Sequence, residues 1–248
     1  MNPTRSELIF GLRPLLEAMK AGKTIEKILI QKDLQGDLFK ELNQALKSGD
    51  KIPVQMLPKE ALSKYSRENH QGIIAFTSPI DFHPIEAKIM DMNDKGIEPF
   101  VLILDHITDV RNFGAIVRSA EAMGVNLIVI PIKGSARLNG DAIKSSTGSI
   151  FHIPFSRVSN LIDAVDLLKA LGIKILSANE KSPLPIKDAD LGGPIALVMG
   201  SEEKGITKSI LKRSDIQARI PMSGETASLN VSVAAGIFLH AIHEQKNS

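Results

Sequence analysis

The side chains able to do chemistry gather in three polar, glycine-bearing segments: Asp105-His-Ile-Thr-Asp-Val-Arg-Asn112-Phe-Gly114-Ala-Ile-Val-Arg118, Gly200-Ser-Glu-Glu-Lys-Gly205 and Pro221-Met-Ser-Gly-Glu-Thr-Ala-Ser228-Leu-Asn230. Their amides, carboxylates, hydroxyls and guanidinium suit substrate positioning, proton transfer and charge stabilisation. The chain has no cysteine, which removes thiol nucleophiles, disulfides and thiolate-held metals. His240 and His243 lie one helical turn apart with Glu244 beside them. No third ligand accompanies them, so they read as exposed or helix-terminal histidines and no metal is expected.

Each segment also has a plain structural reading. Gly200 and Gly205 have the glycine spacing of a P-loop without the Lys-Ser/Thr that should follow, and no G-x-G-x-x-G follows any strand. The segment is then a strand-to-helix turn. Ser201 and Lys204 match S-x-x-K, but the companion motifs are missing. Asn112 suits the N-cap of the helix that follows it. Arg118, among Ala115, Ile116, Val117, Ala120 and Met123, fits a snorkelling or ion-paired arginine as well as a functional one. Six positions separate Asn112 from Arg118, about 9 Å of rise and about 240° of rotation, so the two do not share a helix face. They serve one site only if Asn112 holds a loop while Arg118 reaches past it.

The elements that position these groups follow from hydrophobic periodicity. Apolar runs at 100–104, 126–130, 173–176, 195–199 and 216–220 are separated for the most part by helical stretches, which predicts a parallel sheet covered by helices. Ligands of open α/β sheets bind beyond the carboxyl ends of the strands, and each of the three segments directly follows one of these runs. A last helix, 229 to about 243, carries Val231, Ala234, Ala235, Phe238 and Ile242 on one stripe and Val233, Ile237 and Ala241 on another. Two apolar stripes predict burial on both sides or a subunit interface.

Before residue 79 the pattern is a smaller α/β unit: a helix from about Pro14 to Lys20 ended by Gly22, strands at 25–30, 52–57 and 73–77, and an amphipathic helix at 36–47. The predicted division is a unit over 1–78, a linker over 79–96 and a larger unit over 97–248. The proline-bearing stretch 78–84 marks the boundary, and a polar helix to Asp94 follows it. At 248 residues, with 43% hydrophobic and 23% charged residues, the composition is that of a soluble globular protein. No apolar run approaches a membrane span, and Arg5, Glu7, Arg13, Glu17 and Lys20 break any signal-peptide core, so a cytoplasmic location is expected. The net charge is +2. Its excess lies in residues 1–78, with 12 basic and 9 acidic residues against 18 and 19 in 79–248, which points the first unit toward a polyanion. One Tyr, nine Phe and no Trp leave little aromatic surface for the base-stacking folds.

Taken together and in order, the three segments resemble the three motifs of the SpoU/TrmH branch of the SPOUT RNA methyltransferases. The likeness extends to Lys144-Ser-Ser-Thr-Gly148 and to Gly11-Leu-Arg-Pro-Leu-Leu-Glu-Ala, and so covers nearly the whole chain. Within the family it is greatest for the branch that methylates guanosine 2′-hydroxyls of large-subunit ribosomal RNA. The resemblance implies a C-terminal α/β domain with a trefoil knot, a small α/β N-terminal domain of ribosomal-protein type that binds the RNA, S-adenosyl-L-methionine as methyl donor, and a homodimer acting on ribosomal RNA or a ribosomal precursor particle. It assigns Gly200, Ser201, Ile220, Met222, Leu229 and Thr147 to the cofactor pocket, and Asn112, Arg118, Glu202, Ser228 and Asn230 to catalysis or its support. The family gives Arg118 the proton-abstracting role. A guanidinium with a pKa above about 12 is a poor base, and a second role is stabilising the developing alkoxide and an adjacent phosphate. Glu203 departs from the small residue that many relatives carry there. Two other readings remain: a methyltransferase for transfer RNA or another ribosomal site, and a non-catalytic RNA-binding or ribosome-assembly factor of the same fold.

Overall fold

The computed structural model describes residues 8–48, 52–66, 69–225 and 228–247. Thr226 and Ala227 of the third segment lie outside them. By its internal contacts the chain separates into two units, Met1–Asp81 and Phe82–Ser248.

In the first unit the elements run β1 (Leu8–Phe10), α1 (Leu12–Lys20), β2 (Ile25–Gln31), α2 (Asp37–Ser48), β3 (Val54–Leu57), α3 (Lys59–Leu62) and β4 (Ile73–Thr77). The four strands form one sheet in the order β1-β4-β2-β3, in which only the β2–β3 pair is parallel. Alternation along β2 and β4 builds two cores. Ile28, Ile30, Ile73 and Ala75 pack with Leu15, Leu16 and Leu42 of the two longer helices, while Leu29 and Ile74 pack with Leu62 of α3. Strand β3 starts at Val54 instead of residue 52: Pro53 has no N–H to give a ladder and contributes only its carbonyl, to Ile28 N at 2.9 Å. Neither β1 nor α3 is legible in the sequence, each being too short to show a period.

The second unit continues with α4 (Ile85–Asp94), β5 (Phe100–Asp105), α5 (Val110–Ala122), β6 (Leu127–Pro131), α6 (Gly140–Ser145), β7 (Phe155–Val158), α7 (Leu161–Ala170), β8 (Lys174–Ala178), β9 (Ile195–Gly200), α8 (Lys208–Leu211), β10 (Ile216–Ala218) and α9 (Val231–Lys246). Its sheet has the order β10-β8-β9-β5-β6-β7, and every pair is parallel. Val101, Ile103, Val129, Ile175 and Val198 face α4, α7 and α8 through Ile89, Val165 and Ile210. The alternate residues Leu102, Ile128, Leu197 and Met199 are buried as well. Both faces are therefore covered, as the unbroken apolar runs require.

Of residues 79–96, expected as a linker, those from Phe82 onward carry structure of the second unit. Phe82 bridges to Phe155 of β7 and takes the Arg157 guanidinium over its ring at 4.1 Å, and Ile85, Ile89 and Met92 of α4 lie in the core. Strand β7 was not expected, and β10 stops at Ala218 rather than at residue 220. After Ala218, Arg219 instead binds the segment 184–186: its N–H donates to Leu184 O at 2.9 Å and its carbonyl accepts from Ile186 N at 2.8 Å.

Candidate active site

The strand order reverses between β5 and β9: the chain steps from β5 outward through β6 and β7, then crosses to the other side for β8 before β9 fills the gap. A crevice opens beyond the carboxyl ends at such a switch point. Asp105 and Gly200, the last residues of β5 and β9, are register partners, so the first two polar segments leave the sheet side by side.

The second segment folds back tightly. Gly205 N donates to Ser201 O at 2.8 Å, Lys204 N donates to Ser201 Oγ at 3.2 Å, and Gly205 takes φ 64°, which favours glycine. A Cβ on Gly200 would stand 2.2 Å from Gly205 C and 2.3 Å from Ile206 N, so the closed loop excludes any side chain at that position. Asp105, 1% exposed, secures the end of the loop. One of its carboxylate oxygens accepts Thr207 N at 2.6 Å, and the other accepts the His106 Nδ1–H at 2.5 Å. The Ser201–Lys204 pair thus makes a turn.

Three segments then converge on one carboxylate. Glu202 Oε1 accepts from Asn230 Nδ2 at 2.7 Å, Val231 N at 3.2 Å and Asn112 Nδ2 at 3.3 Å, and Asn230 Nδ2 also lies 3.0 Å from Asn112 Oδ1. Asn112 is not the helix N-cap expected from sequence. Asp109 holds that position and accepts Asn112 N at 2.8 Å, which places Asn112 at the third helical position with its amide free to reach Glu202. The N-cap of α9 is Asn230, whose Oδ1 accepts Ser232 N at 2.9 Å while its Nδ2 serves the cluster.

Beside this cluster lies a cavity of about 440 Å³. Gly200, Ser201, Ile220, Met222 and Leu229 line it, as do Glu202 and Ser228. Sequence reasoning missed the wall formed by the end of β8 and the turn after it, Ala178, Asn179, Glu180 and Lys181, and the parts that α8 and α9 add through Lys208, Leu211, Ala234 and Phe238. That turn follows an apolar strand as the other segments do, but carries no glycine to mark it. The volume suits a nucleoside-sized ligand, with apolar side chains for a flat ring and backbone polar groups for its edge. The Gly200 cradle lets the chain approach closely.

Two expected residues lie elsewhere. Thr147, expected at the cofactor, is exposed just past α6 with φ 51°, its hydroxyl donating to Ser146 O, and it does not line the cavity. The motif around it makes packing contacts with α5. Ser145 Oγ donates to Val110 O at 3.0 Å and packs so closely on Gly114 that a Cβ there would meet it at 2.0 Å. Arg118 is exposed on α5, has no ion-pair partner among the described residues and does not line this chain's cavity. Among the described residues no group of three His, Asp or Glu side chains is placed to hold a metal, and no helix is long and apolar enough to cross a membrane.

A parallel α/β unit with a closed loop and a cavity beyond the carboxyl ends of β8, β9 and β10, preceded by a small separate α/β unit, is the architecture of one class of RNA methyltransferases. The chain belongs to the SpoU rRNA methylase family, whose signature matches residues 99–240, and residues 8–83 match the substrate-binding domain of RNA 2′-O ribose methyltransferases. It is 34% identical over 240 residues to a protein assigned to the TrmH family of tRNA/rRNA methyltransferases from Staphylococcus saprophyticus, covering 97% of this chain and 96% of that one. Its fold is that of the SpoU methyltransferase AviRb from Streptomyces viridochromogenes, solved with the cofactor AdoMet (TM-score 0.59, 24% identity, 96% and 89% of the two chains). It also matches a crystal structure of an RNA 2′-O ribose methyltransferase (TM-score 0.56, 25% identity, 96% and 88%).

Proposed function

We propose that the protein transfers a methyl group from S-adenosyl-L-methionine to a ribose 2′-hydroxyl, that of a guanosine in large-subunit ribosomal RNA. The observation that carries this reading is the joining of Asn112, Glu202 and Asn230 at one carboxylate oxygen beside the cavity. Support comes from the substrate-binding match over 8–83 and from the AdoMet complex of a protein with this fold.

The cavity fits the cofactor in size and lining: Ile220, Met222 and Leu229 would cover the adenine, and Gly200 and Ser201 would meet its polar edge with backbone groups. When bound, the cofactor supplies an electrophilic methyl on a sulfonium. The chain's own residues hold the ribose in line and stabilise the oxygen as its proton passes to water. Ser228 and Asn230 orient the sugar, Asn112 and Glu202 fix Asn230, and Arg118 stabilises the developing alkoxide with its neighbouring phosphate. Residues 1–78 grip the RNA, and 97–248, with α4, carry the reaction.

Arg118 lines no part of the cavity of its own chain, and α9 leaves Val233 (52%) and Ile237 (37%) exposed one turn apart. A homodimer built on α9 covers this stripe, and its second copy supplies Arg118 across the interface. The closed 200–206 loop and the segment after β10 are the parts that a trefoil knot would thread, and the cytoplasm is the compartment in which the RNA is met.

The test is transfer of labelled methyl from S-adenosyl-L-methionine to fractionated RNA, followed by digestion to nucleosides. The expected product is 2′-O-methylguanosine in large-subunit RNA. Arg118→Ala should abolish transfer while cofactor affinity stays within about twofold. Label on transfer RNA alone selects the other substrate class, and no label in any RNA selects an assembly factor.

A further inference from the structure

In the second unit the connection from β6 to α6 and the short turn Ser149–Phe151 carry exposed groups that the reaction does not use. Lys133, Arg137 and Lys144 are exposed, and none has an ion-pair partner among the described residues. Between 132 and 152 the only carboxylate is Asp141, in the first turn of α6, where it complements the positive end of that helix.

The backbone holding these cations is fixed. Ala136 and Leu138 are buried, Ala136 N donates to Ile107 O at 2.8 Å, and Asn139 Oδ1 caps α6 by accepting from Asp141 N at 3.1 Å and Ala142 N at 3.2 Å. Gly134, at φ 82°, lies against the His106 ring, where a Cβ would come within 2.6 Å. Ser145 ties α6 to the start of α5, the helix that carries Asn112. Exposed cations on an ordered backbone lose little entropy when they bind. The turn that follows adds an apolar group in an unusual place: Ser149 and Ile150 are buried, yet Phe151 is 54% exposed, with exposed His152 next to it.

We propose that this surface docks an unpaired stretch of RNA next to the reacting nucleotide, with Lys133, Arg137 and Lys144 on phosphates and Phe151 stacked on a base. Three unpaired cations and a single carboxylate over residues 132–152 disfavour pairing this segment with another copy of itself and attract a polyanion. A duplex keeps its bases stacked away from an aromatic ring, so Phe151 selects a single-stranded segment. The inference rests on RNA being the substrate and extends the active-site reading to a surface the three motifs do not include.

The test measures affinity of the full-length protein for an in vitro transcribed large-subunit ribosomal RNA fragment across a salt series, with methyl-donor affinity measured in parallel. Lys133→Glu/Arg137→Glu should weaken RNA binding at least about tenfold and lower the slope of log affinity against log salt by about 1.4, roughly 0.7 for each phosphate of a single strand that is no longer neutralised. Phe151→Ala should cost about tenfold with the slope unchanged, because stacking releases no counterions. Methyl-donor affinity should hold in both variants, which shows that they fold. A double variant that keeps the wild-type affinity and slope overturns the proposal. So does a Phe151→Ala protein whose only change is a halved molecular mass, which assigns Phe151 to an interface between copies. Wild-type protein that binds this RNA but transfers no methyl defeats the catalytic reading, and still supports this surface if the double variant flattens the slope.

Discussion

The two edges of the six-stranded sheet use charge in opposite ways. At the amino edge four cations are paired: Lys174 with Asp190 at 2.8 Å, Lys169 with Asp215 at 2.6 Å, Arg213 with Asp166 at 2.9 Å, and Lys246 with Glu98. At the carboxyl edge Arg111, Lys133, Arg137, Lys181, Lys204 and Lys208 have no ion-pair partner among the described residues, and the carboxylates Asp105, Asp109 and Glu202 accept from N–H groups of the surrounding loops and helix ends. One edge settles its charges internally. The other spends its carboxylates on loop geometry and keeps its cations for a polyanion.

If this division holds, substitutions at the carboxyl edge should cost function more than stability, and those at the amino edge the reverse. The largest effect is expected for Gly200→Ala. The added methyl meets backbone 2.2 Å away, so the 200–206 loop must open, methyl-donor binding measured by calorimetry should disappear, and denaturant melts should show a loss of about 1–3 kcal/mol. Next is Glu202→Ala, which removes the acceptor that the two asparagines share and leaves them only their direct bond to each other. Single-turnover transfer should fall at least about a hundredfold while stability changes by only about 1 kcal/mol, since Glu202 is exposed. Equal losses in both would erase the contrast.

Asp109→Ala removes the α5 cap and should cost about 1 kcal/mol, with a smaller loss of transfer through the displaced Asn112. The smallest effect belongs to the amino edge. Burial opposes ionisation of Asp215, but its bonds from Lys169 and from Ile175 N–H outweigh that and hold its pKa below the usual carboxylate value. The stabilisation is therefore complete above the unfolded carboxylate pKa of about 3.9 and is lost as pH falls through the folded value. Asp215→Asn should lower stability by about 0.5 kcal/mol at pH 7, by less in strong acid, and leave methyl transfer unchanged.

The sequence revealed much of the fold because the central strands are buried on both faces and so read as unbroken apolar runs. The candidate site was legible for the same reason, since each of its three segments directly follows such a run. What it hid was short or depended on tertiary contacts. β7, Phe-Ser-Arg-Val, has four residues with neither an apolar run nor an alternation, and α4 looked polar because Ile85, Ile89 and Met92 have their partners on other elements. Asn112 looked like a cap because capping is a local rule, and only the fold shows Asp109 in that place with Asn112 turned to a carboxylate ninety residues away. The Ala178–Lys181 wall was hidden because residue type alone does not mark a backbone that lines a cavity.

The buried Asp105 carboxylate holds Thr207, directly after the 200–206 loop, with one oxygen and the His106 ring with the other, and that ring reaches solvent with 55% of its side chain exposed. A disturbance of the loop must therefore be felt at an imidazole outside the cavity. The His106 proton resonance is a built-in sentinel, able to report the occupancy of the neighbouring site in solution without a label on either ligand.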